Sequence, residues 1–210
     1  MLDSKAITDA LVRCDEPKVL DLVQNALEEG IKAKEILNHG LIAGMDVVGE
    51  KMENEDMFIP EVLMAAKIMS AAVRILKPLL AEGDMSAMGR IIIGTVKGDL
   101  HDIGKNLVAM ILESAGFEVY NLGVDISPDQ FVSEINDRNA NMICLSALLT
   151  TTMPMMQQTI DAVVESGLRD RVKIMVGGAP VTQDYATEIG ADGYAPDAGS
   201  ATKLAKALLP

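Results

Sequence analysis

The hydrophobic period of this chain changes once, and that change limits the fold more than any single motif does. From Ile7 up to about Gly83 the pattern is helical, with apolar residues recurring at three- and four-residue steps, the spacing of one helical face. Ile7, Ala10 and Leu11 begin the pattern, and Val19, Leu22, Val23, Ala26 and Leu27 repeat it up to Gly30. A longer stretch from about Lys32 to Met52 puts Ile36, Leu37, Leu41, Met45 and Val48 on one stripe. Gly40, Gly44 and Gly49 within it would let another helix or a ligand come close. Pro60 suits the first turn of a fourth helix, whose apolar face runs through Val62, Leu63, Ala66, Met69, Val73, Leu76 and Leu80. Four helices with short connections predict an antiparallel bundle.

From Arg90 the spelling is different. Ile91-Ile92-Ile93-Gly94-Thr95-Val96 is an uninterrupted β-branched run, as a strand covered on both faces requires. Four more strand segments follow near 118–122, 141–145, 173–176 and 192–194, alternating with helical segments 105–115, 128–138, 155–166, 182–189 and 198–209. Strand–helix alternation predicts an α/β domain with a five-stranded parallel, doubly wound sheet. Between the two patterns, Glu82 to Gly89 is small and polar and is expected to be a linker. The expected domains are a helical one over 1–88 and an α/β one over 89–210.

Charge narrows the function. Residues 1–88 carry sixteen acids against nine bases and 89–210 carry fifteen against nine, for a net charge of −13. Neither half offers a basic stripe for a phosphate backbone, so a nucleic-acid partner is not expected. No apolar run reaches a membrane span and no charged-then-apolar leader opens the chain. Cys14 and Cys144 have no paired spacing, which fits a reducing cytoplasm. Fourteen methionines with no Trp and six Phe and Tyr point to adaptable packing and few stacking platforms.

One stretch carries chemistry: Gly98-Asp99-Leu100-His101-Asp102-Ile103-Gly104-Lys105-Asn106. It falls after the first strand, on the rim where doubly wound sheets hold ligands. Ser146, after the third strand, and Gly177-Gly178, after the fourth, fall on the same rim. A His-Asp pair can bind metal in a phosphohydrolase, but such sites gather several histidines, and the only other one here is His39 in the helical half. Gly94-Thr95-Val96-Lys97-Gly98-Asp99 matches no phosphate loop. His101 can instead be a packed structural residue, or a lone axial ligand whose second ring nitrogen is held by Asp99. The loop glycines answer either to turns or to the close approach of a ligand.

Asp99-x-His101-x-x-Gly104, then Ser146-x-Leu148 forty-two residues after Gly104, then Gly177-Gly178 twenty-nine after Leu148, resembles the signature of cobalamin-binding domains. The spelling Thr95 to Asn106 is similar to the cobalamin module of methionine synthase, and Phe58-Ile59-Pro60-Glu61-Val62 resembles its four-helix cap. The layout resembles the small corrinoid proteins of methanol, methylamine, betaine and O-demethylase methyltransferase systems.

The resemblance implies a flavodoxin-like cobalamin-binding domain behind a helical cap, with the linker as hinge. His101 would be the lower axial ligand of cobalt, Asp99 its hydrogen-bond partner, and Thr152 the third member of the relay, where the family has a serine. Asp102, Ile103, Gly104, Ser146, Leu148, Thr150, Gly177, Gly178, Tyr194 and Ala195 would line the cofactor and its displaced nucleotide tail, and Phe58 would shield the upper face. The cofactor would cycle between cob(I)alamin and methylcobalamin. Partners would be a substrate-specific corrinoid methyltransferase, a second methyltransferase passing the methyl group to tetrahydrofolate or a thiol, and a reductive activator. A cobalamin-binding sensor is the alternative, though its light-sensing forms carry a DNA-binding module and a cap tryptophan that this chain lacks.

Overall fold

Ile91, Ile92 and Ile93 are each 2% exposed or less, which fits their place in an interior strand. The computed structural model describes residues 2–80 and 88–209. Two compact units divide it, one built on the helices before residue 81 together with 114–116, the other on the rest from residue 88 onward. Of the linker expected over Glu82–Gly89, only Met88 and Gly89 lie within the described residues.

The first unit is helical, as its period predicts: α1 (Ser4–Val12), α2 (Glu16–Glu28), α3 (Ala33–Glu35), a π-helical stretch (Ile36–Ile42) continuing into α4 (Ala43–Glu53), and α5 (Ile59–Leu76) followed by a 3-10 turn. Asp3 and Asp15 cap α1 and α2 by accepting bonds from Ala6 and Lys18 backbone N–H groups. Glu61 reaches back to the Phe58 N–H at the start of α5. Among the three glycines of the long helix, Gly40 and Gly44 face α1: a Cβ there would lie 2.9 Å from Ile7 Cδ1 and 2.7 Å from Leu11 Cδ1, whereas Gly49 has nothing within 4 Å. The π-helical stretch was not expected from the apolar stripe. It adds a residue to the turn where Gly40 meets α1, and extra-residue turns of this kind are a recognised source of helix irregularity.

The second unit holds the strands β1 (Arg90–Thr95), β2 (Glu118–Asn121), β3 (Met142–Ser146), β4 (Lys173–Gly177) and β5 (Gly193–Tyr194). They form one sheet in the order β2-β1-β3-β4-β5, with all pairs parallel. The helices are α6 (Ile103–Ser114), α7 (Pro128–Arg138), α8 (Pro154–Glu165), α9 (Gln183–Glu188) and α10 (Ala198–Leu208). Side chains alternate across the pleat. Ile92, Ile143, Leu145, Ile174 and Val176 pack with Phe131 and Ile135 of α7, Met156, Ile160 and Val163 of α8, and Ala186 of α9. Each such fully buried aliphatic side chain contributes about 1.5–3 kcal/mol. No helix among the described residues is long and apolar enough to cross a membrane.

Strand order places the site. The chain runs outward to β2 from β1 and then crosses to β3 on the other side. The loops leaving β1 and β3 therefore diverge and open a crevice between them, the switch point at which doubly wound sheets take ligands. Register brings Thr95, Ser146 and Gly177 into one row at the carboxyl rim.

Candidate cofactor site

Asp99 lies at the bottom of this crevice, fully buried. Its two oxygens accept five hydrogen bonds from groups that span fifty residues of sequence. Oδ1 receives the His101 ring Nδ1 at 2.7 Å and the His101 backbone N–H at 3.1 Å. Oδ2 receives the Thr152 hydroxyl at 2.7 Å and the backbone N–H groups of Leu148 and Leu149 at 2.8 and 3.3 Å. Burial alone would push this carboxyl up; the bonds from Leu148, Thr152 and His101 outweigh burial and hold it well below the usual carboxylate range. Asp99 is thus an anion and can only accept, so Nδ1 of His101 carries the ring proton. Nε2 then carries the lone pair. His101 has half of its side chain exposed, and Nε2 has no hydrogen-bond partner among the described residues. Thr95 Oγ1 donates to the His101 carbonyl at 2.8 Å, tying the loop back to β1.

The wall around this imidazole is apolar and open. Ile103 is 88% exposed and Leu100 72%, with Leu148 and Leu149 also exposed. Large exposed aliphatic groups beside this imidazole suit a flat apolar ligand, and one free imidazole nitrogen supplies a single metal bond. These residues fit a corrin with an axial histidine. Among the described residues no three His, Cys, Asp or Glu side chains gather as a metal cluster.

The remaining residues singled out in the sequence divide into groups. Asp102 immediately precedes α6 and Ile103 begins it, beside His101, with Asp102 accepting from Asn106 Nδ2 at 3.0 Å. Behind them Lys105, 3% exposed, donates to Asn106 and Asn121 at 2.6 Å each. Burial pushes its ammonium down, against the opposing charge of Asp102. Gly104 has open space where a Cβ would lie. Ser146 ends β3 and Thr150 is exposed on the following loop. Gly178 has a different reason for being glycine: its φ is +135°, and a Cβ would stand 1.8 Å from the Ala147 carbonyl oxygen. A Cβ on Gly177 would lie 3.0 Å from the Ala195 carbonyl, so Gly177, Tyr194 and Ala195 adjoin at the ends of β4 and β5. Phe58 caps α5 in the helical unit and is 67% exposed.

Sequence reasoning missed three parts of this arrangement: the Leu148 and Leu149 N–H groups, the Thr95 hydroxyl, and Asp125 after β2. Backbone donors leave no mark in residue type. Gly123-Val124-Asp125, a turn spelling after a strand on the same rim, was the available sign of the third.

Two family models match the chain, both described as B12 binding domain, over residues 4–77 and 89–203. Dimethylamine corrinoid protein 1 of Methanosarcina acetivorans is 47% identical over 204 residues, covering 97% of this chain and 95% of its own. A cobalamin-binding protein from Desulfitobacterium hafniense, solved at 1.5 Å, superposes with a TM-score of 0.86 at 31% identity over the full length of both chains. The methanol:cobalamin methyltransferase complex MtaBC from Methanosarcina barkeri gives a TM-score of 0.84 at 28% identity, over 98% of this chain and 79% of that one. With an imidazole presented over an apolar rim at the switch point and both B12-binding models matched, this chain belongs to the family of B12-binding corrinoid proteins.

Proposed function

We propose that the protein is a methyl carrier that holds a cobalamin-type corrinoid with its own base displaced and His101 in the lower axial place. It would serve a substrate:corrinoid methyltransferase and a second methyltransferase that passes the methyl group to tetrahydrofolate or a thiol. When bound, the corrinoid supplies a cobalt that accepts a methyl group from one substrate and gives it to another. The relatives' names, dimethylamine corrinoid proteins, favour a methylated amine as donor.

The observation that carries this reading is the Asp99–His101 pair. A buried carboxylate on Nδ1 fixes the tautomer, orients the ring and strengthens Nε2 as a ligand. Thr152 and the two backbone N–H groups hold that carboxylate still and ionised. Gly104, with open space where a Cβ would lie, supports a place for the displaced nucleotide tail. In this reading 1–88 is the cap domain and 89–210 the cofactor domain.

The test is EPR of the cobalt(II) form, reconstituted from hydroxocobalamin, with natural-abundance and 15N-histidine protein. A superhyperfine pattern that changes from three lines to two on labelling supports the assignment; a pattern indifferent to the label overturns it. Methylation of the bound corrinoid by a cognate methyltransferase given a methylated amine separates a carrier from a sensor.

A further inference from the structure

The loop that presents His101 is held from outside by a residue with no place in the relay. Asp125, after β2, makes two bonds to that loop, one to the peptide unit entering Gly98 and one to the peptide unit leaving Asp99. Its Oδ1 accepts from the Gly98 N–H at 2.7 Å, and its own N–H donates to the Asp99 carbonyl at 3.1 Å. Both partners sit in the left-handed region, Gly98 at φ +81° and Asp125 at φ +57°. Aspartate is one of the few side chains that tolerates this conformation, and unusual backbone of this kind persists only where its surroundings impose it. One residue further on, the Ile126 N–H donates to Thr95 O at 3.0 Å, and Val96 pairs with Ile126 as a parallel bridge, so the clasp is anchored to the sheet itself.

We propose that Asp125 is a positioning residue for the axial histidine. It holds the chain at both ends of the Gly98–Asp99 pair, at the peptide unit entering Gly98 and the one leaving Asp99, and this bracket sets where the Asp99 carboxylate, and through it the His101 ring, can point. Its carboxylate is on the exposed rim rather than in the core, so its contribution falls on loop geometry more than on folding. The inference rests on the reading of His101 as cobalt ligand.

The test compares wild type, Asp125→Gly, Asp125→Asn and His101→Gly, all loaded with cobalamin. Asp125→Gly keeps the left-handed backbone and removes the carboxylate; Asp125→Asn keeps an acceptor oxygen and also tolerates positive φ. The readouts are the histidine superhyperfine signal and the Co(II)/Co(I) midpoint potential, which rises as axial ligation of Co(II) weakens. Asp125→Gly is expected to weaken ligation about tenfold, equivalent to roughly 59 mV for a one-electron couple, and Asp125→Asn to restore most of it. A potential for Asp125→Gly equal to that of wild type, with wild type showing the histidine signal, overturns the proposal. Wild type indistinguishable from His101→Gly overturns the ligand reading instead.

Discussion

Thr152 Oγ1 donates to Asp99 Oδ2 at 2.7 Å, and both groups are buried. The same hydroxyl lies 2.9 Å from the Leu149 carbonyl. It has one proton and two acceptors, and the ionised carboxylate is the stronger of them. Thr152→Val keeps the shape and removes the donor. A hydrogen bond to a charged group is worth about 1.5–3 kcal/mol, and that much unfolding free energy should be lost. Thr152→Ser, which keeps the hydroxyl, should lose less than half of it. Urea denaturation of the two variants beside wild type measures the difference; equal midpoints for Thr152→Val and wild type would show the bond to be idle.

Asp99 predicts the direction of acid sensitivity. Its folded pKa is depressed below its unfolded value of about 3.9. The stabilisation from this group is therefore fully present above that value and is lost as pH falls through the window beneath it. Asp99→Asn removes the titration and replaces two acceptor oxygens with one acceptor and one donor, so it should cost roughly 2 kcal/mol or more at neutral pH. Between about pH 4 and pH 2 the gap between wild type and Asp99→Asn should narrow. Stability curves at three or four pH values check this, and a gap that widens toward acid would contradict the assignment.

His101 should separate binding from folding. Its ring is half exposed and its main structural link is one bond to an Asp99 that keeps four other donors. His101→Gly is expected to change unfolding free energy by no more than about 1 kcal/mol. The lower axial nitrogen signal should vanish, and free imidazole at millimolar concentration should bring a nitrogen ligand back into the cavity left by the ring. Spectral titration with imidazole reads this directly; a signal that survives the substitution would place the ligand elsewhere.

Much of this was legible in the residues because two kinds of signal coincide. Runs such as Ile91–Ile93 can be covered only from both sides, and their alternation with helical segments dictates a parallel sheet, so the rim carrying His101, Ser146 and Gly177 follows from topology. Asp99 and His101 two residues apart, on a loop, make a partnered imidazole one of the readings open to the sequence, and the family resemblance selects it. What residue types do not encode is backbone direction. Leu148 and Leu149 serve Asp99 through N–H groups that any residue has, and the bonds of Asp125 to Gly98 and Asp99 depend on a left-handed turn that its letter permits without requiring. The π-helical stretch Ile36–Ile42 is hidden for a similar reason: its apolar stripe fits an ordinary helix.

Gly178 and Gly104 supply a paired test of why glycine stands at this rim. At Gly178 the backbone has φ +135°, and the space of a Cβ is filled by the Ala147 carbonyl at 1.8 Å. The obstacle is backbone from the loop after β3, which carries Thr152 and the Asp99 donors, so it does not move cheaply. Gly178→Ala should cost several kcal/mol or prevent folding, with or without cofactor. Gly104 is in the first turn of α6 with nothing within 4 Å of a would-be Cβ. There alanine should leave the cofactor-free protein as stable as before, or more stable by up to about 1 kcal/mol, since glycine is the poorer helix former. If that open space receives the nucleotide tail, the added methyl should instead weaken cobalamin binding about tenfold or more. Thermal melts of both cofactor-free variants, with cobalamin affinity for Gly104→Ala, decide the matter: unchanged affinity would mean that Gly104 lines no slot.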